Sequence, residues 1–232
     1  MERRSFLSLA SLPLAMPVAL VPDEGPASTR LAPPEKGPID VAFLISEGAT
    51  VIDFTGPWEV FQDTMVAARG AAHADQMPFR LFTVADGPDT VRATGGLRLT
   101  PDYTVDNAPT PRVIVVPAMK TSPRVLDWLR QASPKADLTM SVCTGAFQLA
   151  RAGLLKGRPA TTHHDYIDAL AREFPDVQVQ RGRRFVESGP FATAAGLTSG
   201  IDLALRVVER YFGTDVAATT AAFMEYDRRK LG

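Results

Sequence analysis

Cysteine is almost absent from this 232-residue chain: there is one, Cys143, so no internal disulfide can form. Net charge is nearly absent too, with 25 Lys and Arg against 26 Asp and Glu. The basic residues are dispersed, which leaves no electrostatic footprint for nucleic acid. Histidine is scarce, and His73, His163 and His164 lack the spacing of a metal-binding helix, so no metal is expected. There is no internal repeat, no Gly-x-Gly-x-x-Gly and no phosphate-loop pattern with which to hold a nucleotide. What remains is a chain of ordinary apolar and charged content, 45% and 22%, long enough to bury one sizeable core.

A membrane-spanning run is also missing. The amino-terminal apolar stretch, Leu7 to Val21, is too short and too proline-broken to cross a bilayer, so no stable membrane anchor is expected. It follows Glu2-Arg3-Arg4-Ser5-Phe6, and paired arginines ahead of an apolar stretch resemble a twin-arginine export signal. Pro22 to Gly37, rich in Pro, Gly, Ser and charge, reads as a linker. Residues 1–37 are therefore expected to be signal and linker, residues 38–232 the folded domain, and the compartment the periplasm.

From Ile39 onward short apolar strands alternate with helical stretches, the pattern of a mainly parallel α/β sheet covered on both faces. Strands are predicted near Asp40–Ile45, Phe79–Val84, Val113–Val116, Leu138–Val142 and Ala160–Thr162. Helices are predicted over Pro57–Arg69, Ser122–Ala132, Thr144–Ala152, Asp165–Glu173, Leu197–Phe212 and Asp215–Tyr226. The Gly95-Gly96 pair suggests a small hairpin between Thr90 and Thr100, and a second is expected near Val177–Phe191.

The chemistry points to Cys143. The apolar run Asp137–Val142 breaks there into Thr144-Gly145 and a helix of good formers, which reads as a nucleophile elbow, with Gly145 permitting close packing. The first-turn amides of that helix are expected to favour the thiolate and to hold an oxyanion. A buried structural cysteine is the alternative, but such a cysteine has no need of this turn. Thr144 either lends its hydroxyl to substrate or caps the helix. Asp53, wedged among apolar residues in Val51–Phe61, is the carboxylate best placed to reach the thiol, either as acid/base partner with a raised pKa or as a helix cap. Glu59 reads as a solvated face. His163 divides evenly between a pocket base and a capping or packing residue, and His164 reads as structural. Pro117-Ala118-Met119 ends a strand in a turn whose amides can point into the pocket, with Met119 equally suited to a hydrophobic wall. Asp202 reads as a buried hydrogen bonder, and Arg181–Arg184 as a solvated turn.

Five segments, Ile52–Pro57, Ser141–Gly145, Ala152–Gly157, Ala160–His163 and Ala195–Asp202, together resemble the ThiJ/PfpI superfamily, in order over about Ile39 to Tyr226. Within it the chain is most similar to isonitrile hydratases and to the amidotransferase-like sensor domains of AraC-type regulators. The resemblance implies a flavodoxin-like three-layer sandwich, usually dimeric. It implies Cys143 as nucleophile, Asp53 as its acid/base partner, Thr144 beside them, no cofactor, and a small-molecule substrate hydrated to an N-substituted formamide. Gly56, Ala118, Met119, Gly145 and His163 would line the pocket. The superfamily's Pro-Gly-Gly turn is Pro117-Ala118-Met119 here, and Thr144 replaces the histidine that follows the cysteine in its proteases. No downstream His-x-Glu supplies an amidotransferase triad, and after Tyr226 too little chain follows for a helix-turn-helix, so a direct transcriptional role is not expected. A ligand-binding or cysteine redox-sensing module is the competing implication.

Overall fold

The computed structural model describes residues 30–227; the export signal read at Arg3, Arg4 and Leu7–Val21 lies outside them. The first half of the fold comprises β1 (Ile39–Leu44), α1 (Val51–Gln62), α2 (His73–Gln76), β2 (Phe79–Ala85), β3 (Val91–Arg92), β4 (Arg98–Leu99), β5 (Tyr103–Thr104) and β6 (Val113–Val116). The second comprises α3 (Pro123–Ala132), β7 (Leu138–Ser141), α4 (Gly145–Arg151), β8 (Pro159–Ala160), α5 (Ile167–Glu173), β9 (Gln178–Val179), β10 (Phe185–Ser188), β11 (Phe191–Ala194), α6 (Ser199–Phe212) and α7 (Thr214–Phe223).

Seven strands form the main sheet in the order β10-β11-β7-β6-β1-β2-β5. Every neighbouring pair is parallel except β10 with β11. Central strands such as Val113–Val116 are wholly buried, as a sheet covered on both faces requires. Helices α1, α6 and α7 pack together, as do α3 and α4. The flavodoxin-like sandwich expected from the sequence is therefore present. From β1 the chain steps outward to β2 in one direction and returns beside β1 as β6 in the other, so the strand order reverses between β1 and β6. Ligands of open α/β sheets bind at such a switch point, beyond the carboxyl ends of the strands.

Several elements differ from expectation. α1 begins at Val51 rather than Pro57, and Pro57 lies inside it. A proline at the first helical position is the ordinary signal for a helix start, and it misleads here because at the true start the side chain of Thr50 makes no cap. The strand expected at Ala160–Thr162 is Pro159–Ala160, and it pairs only with β9 in a separate two-stranded ribbon. The second hairpin falls at Phe185–Ala194 and joins the main sheet. Residues expected to be linker also touch the domain: the Leu31 amide donates to the Arg210 carbonyl at 2.9 Å, and Arg112 Nη2 donates to the Ala32 carbonyl at 3.1 Å. Among the described residues no helix is long and apolar enough to cross a membrane.

The end of the sheet opposite the switch point is closed by a polar clamp. Asp137 accepts from Arg112 Nε at 2.6 Å and Nη2 at 3.0 Å, and from the Tyr211 hydroxyl at 2.6 Å. Tyr211 is 1% exposed, and burial together with Asp137 pushes its hydroxyl pKa up, so it stays a donor. Tyr211→Phe should therefore lower stability by about 1–2 kcal/mol, read from urea unfolding, without altering Cys143 alkylation. A change in thiol reactivity would mean that this clamp is coupled to the site.

Candidate active site

β7 delivers Cys143 to the site. After Ser141 the strand leaves the ladder with one further bond, from the Val142 amide to the Val116 carbonyl at 3.0 Å. Cys143 then adopts φ 57°, a left-handed conformation uncommon for a residue with a side chain. Strain of this kind persists only when its surroundings enforce it. Here the Thr162 hydroxyl donates to the Cys143 carbonyl at 2.8 Å, and the Gly145 amide closes the turn on the Val142 carbonyl at 3.0 Å. A Cβ on Gly145 would sit 2.1 Å from the Val116 carbonyl oxygen, so only glycine lets α4 start this close to β6. The elbow read from the sequence is thus present, and Gly145 shapes it.

Cys143 is 8% exposed. The Thr144 amide, the Leu197 amide and the Thr144 hydroxyl lie near its Sγ. These donors favour the thiolate, yet the thiol pKa is pushed up to about 11, first by burial and then by the charge of Asp53. The expected thiolate bias of the helix start is therefore outweighed. α4 is short, and its amides act as local donors rather than as a long dipole.

Asp53 lies in the first turn of α1, fully buried. It does not cap that helix. Its Oδ2 instead accepts from the Ala118 amide at 3.1 Å across the switch point, while the Thr50 amide donates to the Ala118 carbonyl at 2.9 Å. Oδ1 has no hydrogen-bond partner among the described residues. Burial raises the Asp53 pKa to about 6, against the lowering effect of the Ala118 bond.

The remaining expected residues divide. Ala118 and Met119 border the site, but the Ala118 amide is committed to Asp53 rather than free to hold an oxyanion, and the Met119 carbonyl accepts from Gln148 Nε2 at 2.9 Å. Gly56, expected in the pocket wall, instead faces α6, where a Cβ would lie 3.0 Å from Ile201 Cγ1. His163 Nδ1 accepts from the Asp165 amide at 3.3 Å, its ring stacks on His164 and its edge abuts Gly196, which is the capping and packing role. His163, His164 and Asp165 bring donor atoms within 4.8 Å of one another, a grouping through which an ion could be shared, although they were not paired as ligands from spacing. Glu59 is exposed, as read, and Asp202 is buried and accepts from Tyr226. Arg184 is not a solvated residue of its turn, because it pairs with that Asp202.

Two contributors escaped the sequence reading. Leu197 has φ 52°, and this positive φ is part of the conformation that brings its amide to Sγ. Thr94, on the β3–β4 hairpin, accepts from the Val51 amide at 3.1 Å through Oγ1, and its own amide donates to the Ala49 carbonyl at 2.9 Å. It supplies from another loop the cap that Thr50 does not, two residues ahead of Asp53.

Asp53→Asn should have two effects. Its folded pKa, near 6 against an ordinary 3.8, means that ionisation costs the folded state. Wild-type stability should be full below about pH 4 and fall as pH rises through 6, whereas Asp53→Asn should show no such loss, a gap of up to about 3 kcal/mol. The same substitution should move the midpoint of Cys143 alkylation below 11, because it removes a charge that raises the thiol pKa; an unmoved midpoint refutes the coupling. Thr94→Val should destabilise by about 1 kcal/mol and also lower that midpoint, with Thr94→Ser restoring both. Loss of stability with an unchanged midpoint would make Thr94 a structural cap only.

A family model described as the DJ-1/PfpI family matches residues 40–210. An isonitrile hydratase of Pseudomonas putida is 30% identical over 194 residues, 81% of this chain and 78% of the hydratase. The HTH-type transcriptional regulator CdhR of Pseudomonas aeruginosa is 31% identical over 183 residues, 77% of this chain but 52% of the regulator, so the chain spans about half of that relative's length. A solved ThiJ/PfpI family protein of Pseudomonas syringae aligns with a TM-score of 0.72 at 29% identity, over 91% of this chain and 83% of that one. Drosophila melanogaster DJ-1beta aligns with a TM-score of 0.67 over 82% of this chain and 100% of its own, at 16% identity, a likeness of fold. With this match over most of the described domain, and with its cysteine on the elbow after β7, the chain belongs to the DJ-1/PfpI family.

Proposed function

We propose that this protein is a cysteine-dependent hydratase that converts isonitriles to N-substituted formamides. The observation that carries the reading is the Cys143–Asp53 pair: a thiol with amide and hydroxyl donors nearby, under the charge of a buried carboxyl group that has one unpartnered oxygen. The likeness to the Pseudomonas putida enzyme supports the same chemistry.

The residues divide the work as follows. Asp53 takes the thiol proton as Sγ attacks the terminal carbon of R–N≡C, and returns it to that carbon, giving the thioimidate R–N=CH–S–Cys143. Water then adds to the same carbon, with Asp53 as the base and the nitrogen protonated. Collapse of R–NH–CH(OH)–S–Cys143 breaks the carbon–sulfur bond, releases R–NH–CHO and returns the proton to sulfur. The net reaction consumes one water and requires no change of oxidation state in the protein. A carboxyl group with a pKa near 6 suits both directions of transfer at neutral pH. The Thr144 and Leu197 amides and the Thr144 hydroxyl stabilise sulfur as thiolate at the attack and again at the collapse. The paired arginines ahead of the amino-terminal apolar stretch support a periplasmic setting for this activity.

A second reading, a ligand-binding or redox-sensing module, is favoured by the regulators among the relatives. Its thiol would need thiolate character and access, whereas Cys143 is buried and its pKa is high.

The test is formamide production from an alkyl or aryl isocyanide by the full chain. Cys143→Ala and Asp53→Ala should each lower turnover at least about a thousandfold while the circular dichroism spectrum is retained. Retained turnover in either variant, or none in folded wild type, overturns the proposal.

A further inference from the structure

Beside the nucleophile lies a groove of about 330 Å³ between α4 and α5, lined by Thr144, Phe147, Gln148, Arg151, Tyr166, Ala169 and Glu173. It begins at Thr144, the residue that follows Cys143 and whose hydroxyl lies near its sulfur. Thr144 is the residue past which a molecule reacting at Cys143 would reach the groove. Near Thr144 the walls are aromatic: Phe147 meets Tyr166 edge-on at 6.4 Å and Phe174 at 6.1 Å. The far end carries a loosely paired guanidinium, Arg151, with Glu173 opposite it. Arg151 lies seven positions after Thr144, about 10 Å along the helix at 1.5 Å per residue. Helical side chains lean back toward the amino terminus, which brings the guanidinium nearer.

Arg151 is held in place but not neutralised. Its guanidinium lies over the Phe147 ring at 5.8 Å, and Nη1 donates to Gln148 Oε1 at 3.1 Å, with Gln148 itself fixed on the Met119 carbonyl. Its ion pair with Glu173 is long, 3.9 Å, between two half-exposed side chains. Such pairs contribute little in water and yield to a better-placed anion. A planar guanidinium with one face on an aromatic ring suits a carboxylate presented at the end of an apolar body.

We propose that this groove is the subsite for the body of the substrate, and that it selects isonitriles whose aryl or alkyl body ends in a carboxylate bound by Arg151. This rests on the hydratase reading for the reacting group, and on the groove alone for the rest. Arg151 is a specificity residue, with Glu173 as its competitor.

The experiment compares kcat/KM of the full chain for 4-isocyanobenzoate and phenyl isocyanide, followed as formamide. The carboxylate should be preferred about tenfold, chiefly through KM. Arg151→Met should abolish the preference, Arg151→Lys should keep part of it, and Glu173→Gln should increase it. Equal rates for the two substrates in wild type, or a preference that survives in Arg151→Met, overturns the subsite. If neither isocyanide is turned over, the hydratase reading fails and the groove is judged by equilibrium binding instead. Full-length Cys143→Ala should then bind 4-formamidobenzoate about tenfold more tightly than formanilide, a difference lost when Arg151→Met is added. Equal affinity, or no binding of either compound, refutes the groove independently of the chemistry.

Discussion

The bond from the Ala118 amide to the Asp53 carboxylate crosses the gap between β1 and β6, and the site is arranged around it. The loop after β6 is gripped from three sides. α1 holds Ala118 through Asp53 and through the Thr50 amide, α4 holds Met119 through Gln148, and Gly145 presses on the Val116 carbonyl. Each contact is made to backbone. The loop's conformation therefore matters more than its side chains, and Pro117-Ala118-Met119 supplies that conformation. The same bond explains how a carboxyl group survives at full burial: one oxygen is satisfied, and the other is left unpartnered in a group whose charge reaches the thiol.

That arrangement makes the two groups a unit. With Asp53 ionised, its charge and the surrounding burial keep the proton on sulfur. When the proton moves to Asp53 the charge moves with it, the repulsion vanishes, and the Thr144 and Leu197 donors remain to stabilise the sulfur. The cost of making thiolate inside the pair is thus smaller than the isolated thiol pKa implies. An electrophile that bonds to sulfur as the proton transfers is served by this design. Small molecules that react only with standing thiolate are not.

Sequence reading found the parallel part of the sheet and the elbow, and named the two residues that the structure brings within electrostatic reach, because each leaves a local mark: an apolar run into Cys143-Thr144-Gly145, and an acid buried among apolar residues. It misjudged the start of α1 because Pro57 imitates a first-turn proline, while the real cap, Thr94, comes from a hairpin 43 positions away. It missed β11 as a layer of the main sheet because Phe191–Ala194 is short and runs into small residues that read as a helix approach. Leu197 left no mark at all. Its contribution is a backbone amide set by a positive φ on an ordinary side chain, a conformation imposed by tertiary packing.

Those hidden contributors share a physical type. Ala118, Leu197 and the amide of Thr144 act through N–H groups that every non-proline residue possesses, so residue identity says nothing of their role. Their effect is the counterweight in the electrostatics, smaller than burial and, at the thiol, smaller than the Asp53 charge. Without the Leu197 and Thr144 donors a thiol this buried, facing Asp53, would have nothing to offset desolvation, and without Ala118 the Asp53 carboxyl would be held higher still. Side chains identify which reaction the site can attempt, while backbone placement decides whether the charges it creates are stabilised. A relative with the same cysteine and aspartate but a different loop at Leu197 would keep the nucleophile and lose part of its stabilisation.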